Sequence, residues 1–309
     1  MLNSLFGSIF QAAIFLALAP LLGGIIRKVK AMTQKRKGAP VLQMYRDLSK
    51  LMRKSVVLSD QSTWITRVTP AIVFGSTLCA ALFIPLASAL PGLGFAGDLI
   101  AVVYLLALSR FFMALGGLDA ASTFGGMGSS REMMISALFE PAFLMTLVNL
   151  ALFGHALSMK AIFFRSFSLG EPVIVLSILV LFLVLLAETA RIPIDDPSTH
   201  LELTMVHEAM LLEYTGPHLA LMEWAAALKQ LVLVALLVRL IFPELPTDGI
   251  LMVPGLFLFA AEALVVAFVV AVAETFTVKL RLFTVPNLAA LSFILSLVAF
   301  LQQFSIGRV

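Results

Sequence analysis

Six carboxylates, two histidines and one arginine are crowded into residues 188–214, directly after the almost purely hydrocarbon run 173–187. Two prolines, Pro193 and Pro197, interrupt the same segment. Ionisable side chains beside a membrane-length apolar run are costly to keep there, and they mark ion paths, proton relays or ligand sites. We therefore expect the segment from Glu188 to Tyr214 to be the functional centre of the chain.

Metal binding is one chemistry that histidines and carboxylates can carry out. His200 and His207 are seven residues apart, so on a helix they share one face at a separation of about 10 Å, too far for two ligands of one ion. The sequence HEAML that begins at His207 is not the zinc-binding HExxH motif. The single cysteine, Cys79, excludes an intrachain disulfide and a cysteine-ligated cluster. The sequence predicts no metal and no cofactor bound by this chain.

A second polar stretch is rich in glycine: GGLDAASTFGGMGSSRE, residues 116–132. It has no GxGxxG after a strand and no Walker lysine, so nothing in it predicts a dinucleotide or phosphate site. We expect a flexible loop or a close-packing surface here.

Proton or ion handling is the chemistry that the ionisable residues favour most. Burial brings the pKa values of carboxylates and lysines toward neutrality, where they exchange protons. The candidates at or near membrane depth are Glu140, Glu188, Asp195, Glu202, Glu208, Glu213, Glu223, Lys229 and Glu262. For Glu274, Lys279 and Arg281 we expect structural ion pairs or side chains that reach the membrane surface.

Long apolar segments must position these residues. The chain has 309 residues, 61% of them hydrophobic, and a mean hydropathy of +1.04. Its apolar runs have the length that crosses a bilayer core of about 30 Å, and they are continuous rather than alternating, which indicates helices. The prediction is one all-α integral membrane domain over residues 1–309. The eight expected spans are 5–26, 68–90, 98–115, 133–157, 171–190, 218–242, 251–275 and 284–304.

Lysine and arginine are distributed unevenly between the two sides of these spans. Six basic residues lie within 27–37, and the periodic segment 41–55 predicts an interfacial amphipathic helix. The positive-inside rule then places the polar loops 27–67, 116–132 and 191–217 on the cytoplasmic side of the cell membrane. The net charge of +3 is concentrated in one block beside the membrane, so we expect contact with the lipid bilayer and none with nucleic acid.

Three stretches resemble subunit 1 of respiratory complex I. KRKGAPVLQMYRDLSKL (35–51) resembles its first cytoplasmic loop, and STFGGMGSSREMMISALFEP (122–141) resembles its third-loop and fourth-span motif. RIPIDDPSTHLELTMVHEAMLLEYTG (191–216) resembles its glutamate-rich loop, with Ile194 where complex I has phenylalanine. Within that loop, residues 195–204 and the pairs His207-Glu208 and Glu213-Tyr214 look like the membrane subunit of energy-converting [NiFe] hydrogenases, the hydrogenase-4 and formate hydrogenlyase type.

This resemblance, which covers about residues 5–305, implies a non-catalytic membrane subunit of an oxidoreductase complex. Its implied partners are large and small hydrogenase subunits, an iron–sulfur protein and antiporter-like membrane subunits; the [NiFe] centre and the iron–sulfur clusters would lie in those partners. In the mechanism that it implies, an acidic loop passes redox-driven changes to a chain of membrane glutamates that moves protons or sodium. Side chains expected to dock the peripheral arm are Arg36, Arg46, Asp47, Arg131, Arg191, His200 and His207.

Three other functions are compatible with the sequence. The first is the quinone-site subunit of a true complex I, which bound quinone would indicate. The second is a stand-alone secondary transporter, which would require internal repeats and broken helices; no repeat is evident. The third is a purely structural anchor whose acidic loop only docks basic partners.

Overall fold

A computed structural model of the chain describes residues 2–86, 93–95, 97–163, 170–195, 205–242 and 252–305. Within these ranges the ordered elements are helices, including a short 3₁₀ turn, Leu282–Thr284. The α-helices are α1 Leu2–Thr33, α2 Gln43–Met52, α3 Trp64–Phe83, α4 Asp98–Asp119, α5 Thr123–Gly154, α6 Met159–Phe163, α7 Pro172–Glu188, α8 His207–Leu211, α9 Gly216–Ile241, α10 Met252–Phe276 and α11 Val285–Ser305.

Eight of these helices correspond to the eight predicted spans. Seven of those described are long and apolar enough to cross a membrane, and α7 is a shorter apolar helix of 17 residues. The prediction of an all-α, multi-pass membrane protein is therefore confirmed. The boundaries differ in detail: α1 continues to Thr33, through much of the basic block, and α3 ends at Phe83, earlier than the predicted span.

Helix α9 lies at the centre of the bundle. It packs against α1, α2, α3, α7 and α10, and 83% of its most apolar stretch is buried, compared with 28% for α11. On one side α3 pairs with α4, while α5 packs against α4, α7 and α11. The ionisable side chains that α9 carries are consequently held inside the protein rather than against lipid.

The prediction of a glycine-rich loop over residues 116–132 is wrong for most of that stretch. Helix α4 runs to Asp119 and α5 begins at Thr123, so only three residues separate the two helices. The Ser122 hydroxyl caps α5 by accepting a hydrogen bond from the Gly125 N–H. Gly125 lets the end of α4 and the start of α5 approach closely. A Cβ at this position would lie 2.4 Å from the Gly117 carbonyl oxygen. Tertiary packing outweighs the low helix propensity of glycine.

The predicted amphipathic segment forms α2. Its residues Met44 and Leu48 are buried, and the helix packs against α1 and α9, whereas Arg46, Lys50 and Arg53 are exposed. The Tyr45 hydroxyl donates a hydrogen bond to the Ala17 carbonyl of α1. Partial burial raises the pKa of this phenol, so it remains a donor at neutral pH.

Candidate functional site

Glu188, the last residue of α7, is the centre of a buried charge cluster. Its carboxylate lies 2.8 Å from the Lys229 ammonium of α9 and forms a second ion pair with the Arg110 guanidinium of α4. All three side chains are at least 90% buried. One carboxylate therefore neutralises two cations in an environment of low dielectric, where each charge depends on the other two.

Helix α5 adds two carboxylates to this cluster. The second terminal nitrogen of Arg110 donates to Glu140 at 3.2 Å, and the Glu140 side chain is 30% exposed, at the edge of the bundle. Glu132, two turns earlier on α5, is buried and interacts electrostatically with Lys229, Glu188 and Arg110. Four helices thus converge on one set of charges.

The short length of α7 explains how Glu188 comes to lie at this depth. Seventeen residues span about 26 Å, less than the ~30 Å hydrocarbon core. The chain leaves the helix at Thr189 and continues as non-helical backbone, residues 190–195, inside the bundle. Irregular backbone at such a depth is tolerated where it is covered by protein or lines a polar cavity.

A second ion-pair network lies beside the first. Glu274 of α10 accepts a hydrogen bond from Arg191 at 2.9 Å and forms an ion pair with Lys30 of α1 at 3.1 Å. Arg191 also donates to the side-chain oxygen of Gln230 at 2.9 Å, and Gln230 follows Lys229 directly on α9. The network joins α1, α9, α10 and the segment after α7.

A third pair anchors the acidic segment itself. Lys279, between α10 and α11, lies 2.7 Å from the buried Asp195 carboxylate, whose other oxygen accepts from the Val206 N–H at 3.1 Å. The Leu280 N–H donates to the Pro193 carbonyl. Glu274 and Lys279 are therefore in ion pairs, as we expected of them.

These networks line one cavity of about 750 Å³. It reaches from the C-terminal half of α1 past the segment after α7 to the middle of α9. Drug-sized ligand pockets are lined mainly by apolar and aromatic groups, whereas eleven of the described residues around this cavity are ionisable. They are Arg27, Lys30, Arg36, Glu188, Arg191, Asp195, His207, Glu208, Glu223, Lys229 and Glu274. The lining suits water and ions.

Helix α8 places His207 and Glu208 in the cavity wall. The helix is seated on glycines: a Cβ at Gly128 would lie 2.8 Å from the Val206 carbonyl oxygen, and one at Gly117 would lie 3.2 Å from Met210. The glycine-rich stretch is thus a close-packing surface, one of the two forms that we expected. Burial lowers the pKa of His207, although the nearby Glu208 opposes this effect.

Tyr214 and Glu213 end the acidic stretch just before α9. Tyr214 is buried, with its hydroxyl against Gly116 and Thr69, and burial raises its pKa to about 12. The Thr215 hydroxyl donates to the Val57 carbonyl at 2.8 Å, which ties this corner to the loop after α2. Glu213 is half-buried and lies outside the cavity lining.

Glu262 is separated from the other predicted relay residues. Its carboxylate lies 3.9 Å from the guanidinium of Arg239, and Arg239 is ten residues beyond Lys229 on α9, or about 15 Å along the axis. Glu188, Lys229 and Glu140 are together in one cluster, and Asp195 and Glu208 line the same cavity. Glu202 and His200 lie outside the described residues.

The predicted docking residues occupy different environments. Arg36 is exposed at the cavity, Arg46 is exposed on α2, and the neighbouring Asp47 accepts a hydrogen bond from Gln43. Arg131 donates to the Met205 carbonyl at 3.0 Å, which holds the start of α8. Arg191 is engaged within the protein by Glu274 and Gln230, so it contributes to the cavity wall.

Arg110, Glu132 and Gln230 were not predicted as site residues. Arg110 lies inside the expected span 98–115, and an arginine within a span is itself a signal of function. Glu132 lies at the end of the stretch that we took for a loop. Gln230 carries no charge, and only its place beside Lys229 connects it to the site.

Comparisons with known proteins agree with this architecture. Residues 7–303 match the family model described as NADH dehydrogenase. Among curated proteins, the chain is 37% identical over 236 residues to hydrogenase-4 component C of Escherichia coli, covering 75% of this chain and 74% of that protein. It is 33% identical over 302 residues to formate hydrogenlyase subunit 4 of the same organism, covering 95% and 97%.

Two more distant relatives extend the pattern. NADH-ubiquinone oxidoreductase chain 1 of Chondrus crispus is 27% identical over 206 residues, which cover 63% of this chain and 61% of that protein. A chain of the membrane-bound sulfane sulfur reductase, an archaeal respiratory membrane complex, shares the fold with a TM-score of 0.83 at 18% identity, covering 95% of this chain and 99% of that one. The chain belongs to the NADH dehydrogenase subunit 1 family, and its relatives include the membrane subunits of hydrogenase-4 and formate hydrogenlyase.

Proposed function

We propose that this chain is the membrane-anchoring and coupling subunit of a complex I-like, membrane-bound hydrogenase. It holds a peripheral arm that carries the [NiFe] centre and iron–sulfur clusters, and it links that arm to proton or sodium translocation by antiporter-like membrane subunits. The observation that carries the proposal is the Arg110–Glu188–Lys229 cluster at the inner end of a charged cavity. The similarity to hydrogenase-4 and formate hydrogenlyase subunits supports the choice of partner.

The cluster can convert a change at the cavity into movement of a proton. A proton that reaches Glu188 from the cavity neutralises the carboxylate between Arg110 and Lys229. Arg110 and Lys229 then lose the counter-charge that they share, and their repulsion favours loss of the same proton from Glu188 to the next acceptor of the relay. Redox chemistry in the peripheral arm would act by moving the segment around Asp195 and α8, which lines the same cavity.

Glu140 is placed where a proton could leave the relay toward the side of the bundle. Its carboxylate contacts Arg110 but is partly exposed at the edge of the bundle. A carboxylate exposed directly to lipid at this depth would be costly, so we infer that a neighbouring membrane subunit covers it. Relay from Glu188 past Arg110 to Glu140 would deliver protons sideways to that subunit.

The second candidate is a quinone-reducing complex I subunit. One observation favours it: this chain matches the NADH dehydrogenase family and contains a cavity of about 750 Å³. A quinone ring and its tail require mainly apolar walls, whereas this lining holds eleven ionisable side chains. The proposal therefore assigns the cavity to water and ions.

Affinity purification from native membranes in mild detergent tests the choice of partner. We expect the tagged chain to recover a [NiFe] large subunit together with hydrogen-evolving activity. Recovery of quinone-reductase subunits, with bound quinone and no hydrogenase activity, would favour complex I. A chain that purified alone and moved ions by itself would instead be a transporter.

A further inference from the structure

The end of the bundle opposite the cavity contains a buried arginine that is not part of the proposed proton relay. Arg239 is 1% exposed, close to the C-terminal end of α9. Placing such a charge inside a membrane bundle is costly unless it is fully paired. Eight consecutive residues of α9, Leu231–Val238, are apolar and buried between it and Gln230. An apolar plug would need no charge, so the arginine requires a separate explanation.

The surroundings of Arg239 form a seat for a cation. Its Nε donates to the Pro85 carbonyl at 3.3 Å, and one terminal nitrogen donates to the Leu86 carbonyl. The Glu262 carboxylate lies 3.9 Å away, and the guanidinium carbon stands 5.3 Å from the centre of the Phe259 ring. Carbonyl oxygens, one carboxylate and an aromatic face are all groups that attract positive charge.

The carbonyls come from a helix end that unwinds inside the protein. Helix α3 ends at Phe83, and residues Ile84 and Leu86 are buried although they are not helical. The buried Gln11 side chain donates to three further carbonyls there, those of Ala81, Leu82 and Ile84, at 3.1, 3.3 and 2.7 Å. Unwound helix ends with exposed carbonyls are where transporters coordinate mobile cations; here an amide and a guanidinium take that place.

Two buried hydroxyls lie on α3 and α4 between the level of the charge cluster and the end of α3. Thr77 of α3 and Ser109 of α4 lie 3.1 Å apart through their hydroxyl oxygens, and Ser109 precedes Arg110 in the chain. The interior between the charge cluster and the end of α3 is therefore not wholly apolar. A fixed positive charge at the far end of this interior repels cations and protons.

We propose that Arg239 is a tethered cation that occupies a cation-coordinating seat and closes this subunit to ions at the end opposite the cavity. Ions that enter the cavity then cannot cross the membrane through this chain and must leave toward a neighbouring subunit. The role is independent of the relay chemistry, because a seal acts whether or not the complex turns over.

Passive ion leak through the full chain in liposomes tests this proposal without any electron donor. The probe is an internal pH dye, with a potassium diffusion potential as the driving force. For Arg239→Ala we expect the proton leak to rise on the order of tenfold, equivalent to about 1.4 kcal/mol in the barrier. Millimolar guanidinium chloride should suppress that leak by refilling the seat, and Arg239→Lys, which keeps the charge, should remain tight.

Lys160→Gln provides a control, since it removes an exposed cation outside the Arg239 site, and it should remain tight as well. A tight Arg239→Ala variant would overturn the proposal. Equal leaks in Arg239→Ala and Arg239→Lys, with no response to guanidinium, would also overturn it, because they would indicate a packing defect instead of a lost charge.

Discussion

Glu188 and Lys229 come from helices that are not neighbours in the chain, yet their charged atoms are 2.8 Å apart inside the bundle. Arg110 completes the set from a third helix. The short α7 places the carboxylate, and the central α9 places the ammonium. Each charge is costly to bury, and each is stabilised by the opposite charges that surround it.

Glu188 and Lys229 should depend on each other for stability. Glu188→Gln leaves Lys229 without its ion-pair partner and Arg110 with Glu140 alone, and it should destabilise the protein by about 3–5 kcal/mol. The double variant Glu188→Gln with Lys229→Gln removes one cation as well, so it should be more stable than Glu188→Gln alone. Thermal unfolding of the detergent-solubilised unmodified chain, of each single variant (Glu188→Gln and Lys229→Gln) and of the double variant measures the cycle. Additive losses would show that the two residues do not interact.

A pair of glycine substitutions tests the close packing of α8 against α5. Gly128→Ala should destabilise the protein by about 1–3 kcal/mol, because its Cβ would lie 2.8 Å from the Val206 carbonyl oxygen and would push His207 and Glu208 from the cavity wall. Gly126→Ala, on the same helix, meets nothing within 4 Å and should stabilise it by up to ~1 kcal/mol. Unfolding midpoints that fall equally for both variants would contradict this packing.

The pH dependence of stability follows from His207. Burial lowers its pKa below the ordinary value of 6.5, so between these two pKa values the unfolded chain binds a proton that the folded protein does not. Stability should therefore fall as the pH falls through that window. The unfolding temperature, measured between about pH 5 and 7.5, should decline less steeply in His207→Gln. His155→Asn, at an exposed position, should leave the decline unchanged.

Asp119 should be important for joining α3 to α4. Its carboxylate accepts four hydrogen bonds, from the backbone N–H groups and hydroxyls of Thr63 and Thr66. Asp119→Ala should cost about 1–2 kcal/mol, the scale of a lost helix cap, and should increase proteolysis of the loop before α3. Asp60→Ala, an exposed acidic neighbour in that loop, is the matched control and should behave like the unmodified chain.

The sequence was sufficient for the spans and for part of the site. Continuous apolar runs predict membrane helices because lipid leaves few other structures possible, and a carboxylate that ends such a run marked Glu188. The sequence did not predict which side chains from different helices contact each other. Lys229 and Glu262 both lie within predicted spans, but Lys229 pairs with Glu188 whereas Glu262 pairs with Arg239, at a different level of the bundle. Periodicity gives depth along one helix and says nothing about its neighbours.

Glycine misled the prediction for a physical reason. In a water-soluble chain, the glycines of 116–132 would favour a loop. Within this bundle they allow α4, α5 and α8 to approach closely, and the packing gained outweighs their low propensity. For the same reason Glu132 was not predicted as a site residue. Because α5 begins at Thr123, Glu132 lies within this helix and is a buried member of the charge cluster.

The most direct test of the central claim is the number of protons or sodium ions moved per hydrogen molecule formed, measured in native membrane vesicles. Glu188→Gln should retain hydrogenase turnover in the peripheral arm but lose most ion movement, while Lys50→Gln, an exposed change on α2, should match the unmodified complex. An unchanged ratio in Glu188→Gln would contradict a relay through this cluster and would leave the chain with an anchoring role alone.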